Sequence, residues 1–468
     1  MKHFLSARLL DSFVERTVEA LPSGIPLSSP DCESLAKAWK ERGLRPGDLV
    51  LLCLPNSREL LHQFFGVLMA QGVPALLPPI VPAARLREIA RAMGAFAIGA
   101  VRLPAGDIEA VSCHTAGPLR IALLRAPSEP AGAPGEVVLM TSGTSGFSSG
   151  CVFDFESILL NGQRHADAIG QRKDDTVLVS LPLFFSFALS SQALSSLVRG
   201  NRLVISGPPF NLAGYRQSIQ DYGITVSSLT PVSIRSALHA DPTGLADTRV
   251  LSVGGDALAP ELVERLVELR KEKEVYITYG LTQAGPRVST LAAHAELSSR
   301  YSSVGLPHEG TAVSLQPIPD GSGRNQLFVQ SATVMKRSIG RVEGRANDLV
   351  APQTIATGDC FELDSGGYLY FKGRISDFIS RKGEKISLAA VRRLASELPH
   401  VISARTTIFK HKDGTEDFDL ELRFDASALT PDRQADTQHS LNTRLRRNEM
   451  PHKIHIEPAN EMDGQRYK

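Results

Sequence analysis

An α/β architecture that changes texture towards the carboxyl end is what this sequence predicts, on three observations. From residue 49 to residue 278, short apolar runs of strand length alternate with stretches of helical period, the pattern of strands covered by helices. From about Thr311 to Phe371 the pattern becomes short alternating strands with Gly and Asp turns, as in a small β-barrel or meander. After Arg374 a smaller α+β unit begins. The expected division is a large amino-terminal domain over residues 1–374, with two βα-layered subdomains plus the small barrel. A small carboxy-terminal domain then covers residues 375–468.

Leu49–Leu54 reads as a buried strand. Between Phe64 and Ala84 the sole polar residue is Gln71, yet Pro74, Pro78, Pro79 and Pro82 break any membrane-spanning helix. That stretch reads instead as a helix over Glu59–Gln71, a strand over Val73–Leu77 and a Pro-rich turn. Val177–Leu181 predicts a strand, Ser190–Val198 a helix and Arg202–Ile205 a strand. Helix and strand then alternate over Gln217–Tyr222, Val226–Leu229, Val232–His239, Val250–Val253, Pro260–Lys271 and Val275–Thr278. In the last unit Leu388–Glu397 is expected as a helix, Ala404–Phe409 and Asp419–Phe424 as strands, and Asp432–Asn448 as a polar helix. Few bulky residues occupy Gly373–Asp377, which marks it as a hinge.

A chain of 468 residues makes room for roughly three compact units of about 150 each. Its 51 basic and 50 acidic residues leave a net charge of +1, so no general attraction to nucleic acid or to an anionic membrane is expected. Five dispersed cysteines without C-x-x-C spacing read as reduced thiols of a cytoplasmic protein. The amino terminus lacks the apolar run of a signal peptide, and Asp11 and Glu15 argue against a transit peptide.

The most informative stretch is Met140-Thr-Ser-Gly-Thr-Ser-Gly-Phe-Ser-Ser-Gly150. Gly143 and Gly146 let successive N–H groups turn one way, and Thr141, Ser142, Thr144 and Ser145 add short donors, which suits a polyphosphate. No Gly-Lys-Ser/Thr follows, so it is not the P-loop of NTPases. Downstream stand Tyr279-Gly-Leu-Thr-Gln283, Ser303-Val-Gly-Leu-Pro307, Thr357-Gly-Asp359, Gly373-Arg-Ile-Ser-Asp377 and Arg381-Lys-Gly-Glu-Lys-Ile386. In this order the chain resembles the acyl-adenylate-forming superfamily: acyl- and aryl-CoA synthetases, acid–carrier-protein ligases, peptide-synthetase adenylation domains and luciferase. The likeness runs from Pro46-Gly-Asp-Leu-Val50 and Leu54-Pro-Asn-Ser57 to Asp463-Gly-Gln-Arg-Tyr-Lys468.

The resemblance implies that ATP, with Mg²⁺, activates a small carboxylic acid to an acyl-AMP. The acyl group then passes to the pantetheine thiol of CoA or of an acyl-carrier protein. It places the 141–146 turn on the phosphates, Tyr279 and Gly280 at adenine, Asp359 on the ribose hydroxyls and Arg374 on ribose or phosphate. Thr282 becomes the α-phosphate donor and Gln283 the metal ligand. Gly255 and Asp256 would approach the nucleotide, and Val253 and Gly254 the acid. Pro182-Leu-Phe-Phe-Ser-Phe-Ala-Leu-Ser190 would line the acid pocket through Phe185, Phe187 and Ala188. Leu281, Ala284 and Gly285 complete that pocket, and Arg287 is placed to meet a polar tail. An aspartate of peptide-synthetase domains is replaced by Ala188, and a buried ammonium without a counter-charge is costly, so a non-amino acid, fatty or aromatic, is expected. In the family the carboxy-terminal domain rotates between half-reactions, so the last unit is expected to be a mobile lid.

Three positions depart from the family pattern. Ser148-Ser149-Gly150 stands for Pro-Lys-Gly, Gln283 for the metal-binding glutamate, and Gly464-Gln465 for Gly-Lys, with Lys468 the nearest basic substitute. A second reading follows, that of a degenerate fold which binds nucleotide or acyl-adenylate as a sensor or scaffold. A generic α/β hydrolase is not expected, because no Gly-x-Ser-x-Gly elbow comes with a placed acid and histidine.

Overall fold

Two eight-stranded sheets face one another across a shared layer of helices. The computed structural model describes residues 6–21, 23–125, 127–141, 149–207, 210–319, 323–340, 349–381, 384–411 and 415–459. In the first sheet Leu49–Cys53 is flanked in parallel by Val73–Leu76 and Ala95–Ala100. In the second, Thr176–Val179, Val226–Leu229, Val250–Gly254 and Glu274–Gly280 run parallel, and Arg287–Ala292 returns antiparallel. Side chains alternate across each strand. Val50 and Leu52 therefore enter the shared core, and Leu49, Leu51 and Cys53 the outer face of the first sheet. Val177 and Val179 enter the same shared core, and Leu178 the outer face of the second sheet.

The helices Cys32–Glu41, Arg58–Met69 and Phe155–Ala168 fill the layer between, with Trp39, Phe64, Phe65 and Phe155 fully buried. The expected Glu59–Gln71 helix forms as Arg58–Met69 because Ser57 caps it, accepting from Leu60 N. The helix expected at Gln217 starts at Leu212, where Asn211 caps it by accepting from Ala213 and Gly214. The helix expected over Ser190–Val198 begins at Ser186 and widens into a π-helical turn at Leu189–Leu194. Between 311 and 374 the chain forms a five-stranded antiparallel sheet in which Thr354–Leu363 pairs with three other strands, so it is not a simple meander, and Arg337–Ile339 leaves it to pair with the first sheet.

The last unit has its own core of Val391, Phe418, Leu420, Leu422, Phe424 and Leu441, under a sheet of Val401–Lys410, Glu416–Phe424 and Ile454–Pro458. Its polar helix spans Pro431–Arg444 and stops short of Asn448, which belongs to a separate 3-10 turn at Arg447–Glu449. Among the described residues no helix is long and apolar enough to cross a membrane.

One buried carboxylate anchors the hairpin that carries the hydroxyl-rich turn. Glu136 begins the strand Glu136–Met140 and receives Lys336 at 2.7 Å and Arg337 at 2.9 Å. Burial alone would raise its pKa, but hydrogen bonds from Arg337 and Lys336 outweigh it and hold the carboxyl at about 2. Its contribution to stability is therefore full above the ordinary value of 4.5 and fades as the pH falls through about 2. We expect Glu136→Gln to cost about 2 kcal/mol at neutral pH, the worth of a charge-assisted hydrogen bond or two. Urea unfolding at pH 7 and pH 3 checks this, with the gap between variant and wild type narrowing at the lower pH.

Candidate active site

The parallel strands of the second sheet end on one edge, and the loops that follow them carry the sequence motifs to a common place. Val250–Gly254 delivers Gly255 and Asp256, and Glu274–Gly280 delivers Leu281, Thr282 and Gln283. Phe185, Ser186 and Phe187 follow Thr176–Val179. All of these line one cavity. Its other walls are Met140 and Thr141 of the first sheet and Asp359, Phe371 and Arg374 of the third.

Asp359 and Arg374 are opposite one another in antiparallel strands, with Arg374 Nε 3.4 Å from Asp359 Oδ1. The Asp359 carboxylate is buried, and Tyr279 donates its hydroxyl to Oδ2 at 2.7 Å. Burial, then the Asp359 charge and hydrogen bond, raise the Tyr279 pKa, so the phenol stays a donor. The Tyr279 ring meets Phe361 edge-on at 4.7 Å. Thr282 Oγ1 lies 3.1 Å from Ser186 Oγ. Gly280 is needed because any Cβ there would stand 2.0 Å from the Pro286 carbonyl oxygen, against which Leu281 N closes the turn at 2.9 Å.

Met140 pairs with Gly150, and Thr141 N donates to Ser149 O at 2.9 Å. Thr141 is in the cavity wall. Ser142, Gly143, Thr144, Ser145 and Gly146 lie outside the described residues, as do Gln465 and Lys468. An acid beside an Arg fork, a glycine at φ +99° (Gly255) and the threonine hydroxyls fit the sugar and phosphates of a nucleotide. For Mg²⁺ the wall offers the neutral Gln283 amide, a weaker ligand than a carboxylate.

At the other end Phe185, Phe187 and Leu281 line the cavity as expected, but five residues assigned to this wall are not among its lining. Ala188, Val253 and Ala284 are packed in the core at 0 to 1% exposure. A Cβ on Gly254 would stand 2.3 Å from Thr278 Oγ1, and one on Gly285 2.4 Å from the Thr333 carbonyl oxygen. Their small size serves the packing behind the wall. Arg287 lies in the wall, with its guanidinium carbon 3.5 Å from the Phe187 ring centre. Nε donates to Ser191 Oγ and Nη1 to Thr278 Oγ1, both at 2.9 Å. The π-helical turn is what presents Ser191 there.

Sequence reasoning missed Asn161, whose Oδ1 accepts Arg287 N at 2.9 Å and whose Nδ2 donates to Arg287 O at 2.9 Å. Its signal was a polar residue at helical spacing among Ile158, Ala166 and His165, all buried. Burial, then the Arg287 charge, hold His165 far below its ordinary pKa and His308 at about 4. Both stay neutral and leave the positive charge to Arg287.

The family model described as "AMP-binding enzyme" matches residues 30–337. The chain belongs to this family. It shares 26% identity over 412 residues with a 4-coumarate–CoA ligase-like protein of Oryza sativa subsp. japonica, covering 79% of this chain and 73% of that one. With feruloyl-CoA synthase of an Amycolatopsis species it shares 26% over 383 residues, 76% of this chain and 74% of the relative. Its fold matches o-succinylbenzoate CoA synthetase from Bacillus subtilis, solved with the acyl-adenylate OSB-AMP. There the TM-score is 0.74 at 19% identity, over 97% of this chain and 95% of that one. This AMP-binding enzyme is an AMP-forming acid–thiol ligase, and the scaffold reading is not favoured.

We expect Tyr279→Phe, which removes a donor from the buried Asp359, to weaken ATP binding by about 1 to 2 kcal/mol, roughly five- to thirtyfold. Calorimetric titration with ATP measures it, and unchanged affinity would reduce the hydroxyl to a packing role.

Proposed function

We propose that this AMP-binding enzyme converts an aromatic acid with an acceptor group at its far end to the CoA thioester, through an acyl-AMP. The convergence of Thr141, Tyr279, Thr282, Asp359 and Arg374 on one cavity that also holds Phe185, Phe187 and Arg287 supports this reading. The relatives named for 4-coumarate and ferulate favour CoA over a carrier protein as acceptor, and an aryl acid over a fatty one. A cytoplasmic location fits the dispersed cysteines, odd in number, none of which forms a disulfide among the described residues.

In the first step a carboxylate oxygen bonds to the α-phosphorus and the bond to pyrophosphate breaks. Asp359 holds the ribose, Arg374 and Thr141 take phosphate or ribose oxygens, and Thr282, oriented by Ser186, donates where negative charge grows. Bound Mg²⁺ would neutralise phosphate charge beside the Gln283 amide. In the second step the thiol sulfur attacks the acyl carbon and AMP leaves. Residues 1–374 form the body in this reading and 375–468 the lid, pivoting after Gly373, where φ is +110°. Lys468 supplies the cation that Gln465 cannot.

Arg287 reads the tail of the acid, lying on Phe187 so that an aromatic ring and its acceptor are recognised together. Carboxylate-dependent exchange of pyrophosphate into ATP across an acid panel tests the activity, and exchange no higher than an acid-free control rejects it. Arg287→Met is expected to lower kcat/KM for acids with a hydroxyl or second carboxylate by about ten- to a hundredfold, the worth of a charge-assisted hydrogen bond. Acids without such a group should change little; equal loss for both would deny Arg287 this role.

A further inference from the structure

Away from the cavity, His239, His400 and Asp425 gather where the helix Pro231–Ala240 meets the carboxy-terminal sheet. Their ligand atoms all lie within 4.8 Å of one another. Asp425 N donates to His400 O at 2.9 Å, which locks the two backbones together. Asp425 Oδ1 accepts Ser427 N at 3.0 Å and Ser427 Oγ at 2.8 Å, and Oδ2 is left 3.4 Å from His239 Nε2. His400 Nδ1 is buried without a hydrogen bond among the described residues. Its residue sits at φ 65°, a left-handed conformation that turns the ring towards His239, 5.2 Å away edge-to-face.

The 3.4 Å separation exceeds the usual 2.7–3.2 Å of an N–H···O hydrogen bond. Two ligands of a tetrahedral zinc, each bonded at about 2.0–2.1 Å, stand about 3.3 Å apart. One carboxylate oxygen fixed by a serine while the other points outward is the arrangement that orients a metal ligand. The other such group, Asp11, Cys32 and His62, is less suited. Burial raises the Cys32 thiol pKa, and Asp11 Oδ1 already accepts Cys32 N at 2.8 Å.

We propose that His239, His400 and Asp425 bind a borderline divalent cation, zinc above all, with water as the fourth ligand. Imidazole donors favour Zn²⁺ over the Mg²⁺ of the nucleotide site. The ion would join the helix that carries His239 to the strand ends flanked by His400 and Asp425. Arg235 on the same helix already donates to Ile402 O at 3.2 Å. If the last unit rotates, a consequence that rests on the proposed function, the bound ion holds it in this pose and slows the half-reaction that needs the other.

The test uses the full chain, freed of zinc by chelation and kept in Mg²⁺. Cobalt(II) titration should give the visible bands of a tetrahedral site at one equivalent, and Zn²⁺ should displace them and raise Tm. His239→Gln, an exposed position, and His400→Asn, which keeps a residue tolerant of positive φ, should each lose the bands and weaken Zn²⁺ at least tenfold. Bands retained in both variants would put the metal elsewhere and overturn the site. With binding established, Zn²⁺ should slow one half-reaction at least fivefold more than the other in wild type and not in His239→Gln. Equal effects would overturn the clamp and leave acid activation, measured separately by pyrophosphate exchange, untouched.

Discussion

The hydrogen bond from Tyr279 to Asp359 is the contact through which two separate sheets become one binding wall. Tyr279 stands near the end of a parallel strand of the second sheet, and Asp359 in a strand of the third. A buried carboxylate is tolerable only with donors around it, and this one has a phenol from one sheet and a guanidinium from its strand partner. Phe361 and Phe371 pack against the tyrosine ring and exclude water from the joint. Because Arg374 ends the strand that leads into the last unit, the nucleotide wall and the exit towards that unit share a single element.

The departures from the family pattern acquire a physical setting in this frame. Ser149, at the place of the family lysine, has its hydroxyl 2.8 Å from Thr141 Oγ1 and its carbonyl oxygen bound to Thr141 N. The residue is thus bonded to Thr141 through both its side chain and its backbone. Gln283 keeps a place in the cavity wall, and its backbone carbonyl accepts Met335 N at 2.9 Å. At these two positions a hydroxyl and an amide stand where the family pattern has charged residues, which under the proposed function would leave more of the phosphate charge to a bound cation.

Strands were legible wherever an apolar run was bounded by polar turns, because burial on both faces leaves a continuous signal. Val226–Leu229 and Arg202–Ile205 formed with the bounds expected. Helix starts were less legible where the first turn is polar or contains glycine: Asn211 and Gly214 hid one, and the π-helical widening at Leu189–Leu194 has no periodic mark. At the site, Asp359, Arg374, Tyr279 and Thr282 were named from ordered motifs and do share a cavity. Small residues were harder to place: Gly254, Gly285, Ala188 and Ala284, assigned to the acid pocket, are not among the lining of this cavity, and Thr278, Thr333 and the core pack against them. A sequence reveals that a residue is small but not what fills the vacated volume.

Under the proposed function, selectivity at the acid end would follow from the same accounting of buried charge. Arg287 is held from behind by Ser191 and Thr278, which are neutral, while Phe187 covers one face. In that reading, a ligand with a bare hydrocarbon tail would offer nothing polar to the Arg287 side of the cavity, a penalty of the kind that discriminates more strongly than a missing methylene does. A ring bearing a hydroxyl or carboxylate would meet Arg287 and stack on the Phe187 surface. Under the proposed function, discrimination against plain apolar acids would depend on the neutrality of His165 and His308, whose protonation would crowd like charge against Arg287.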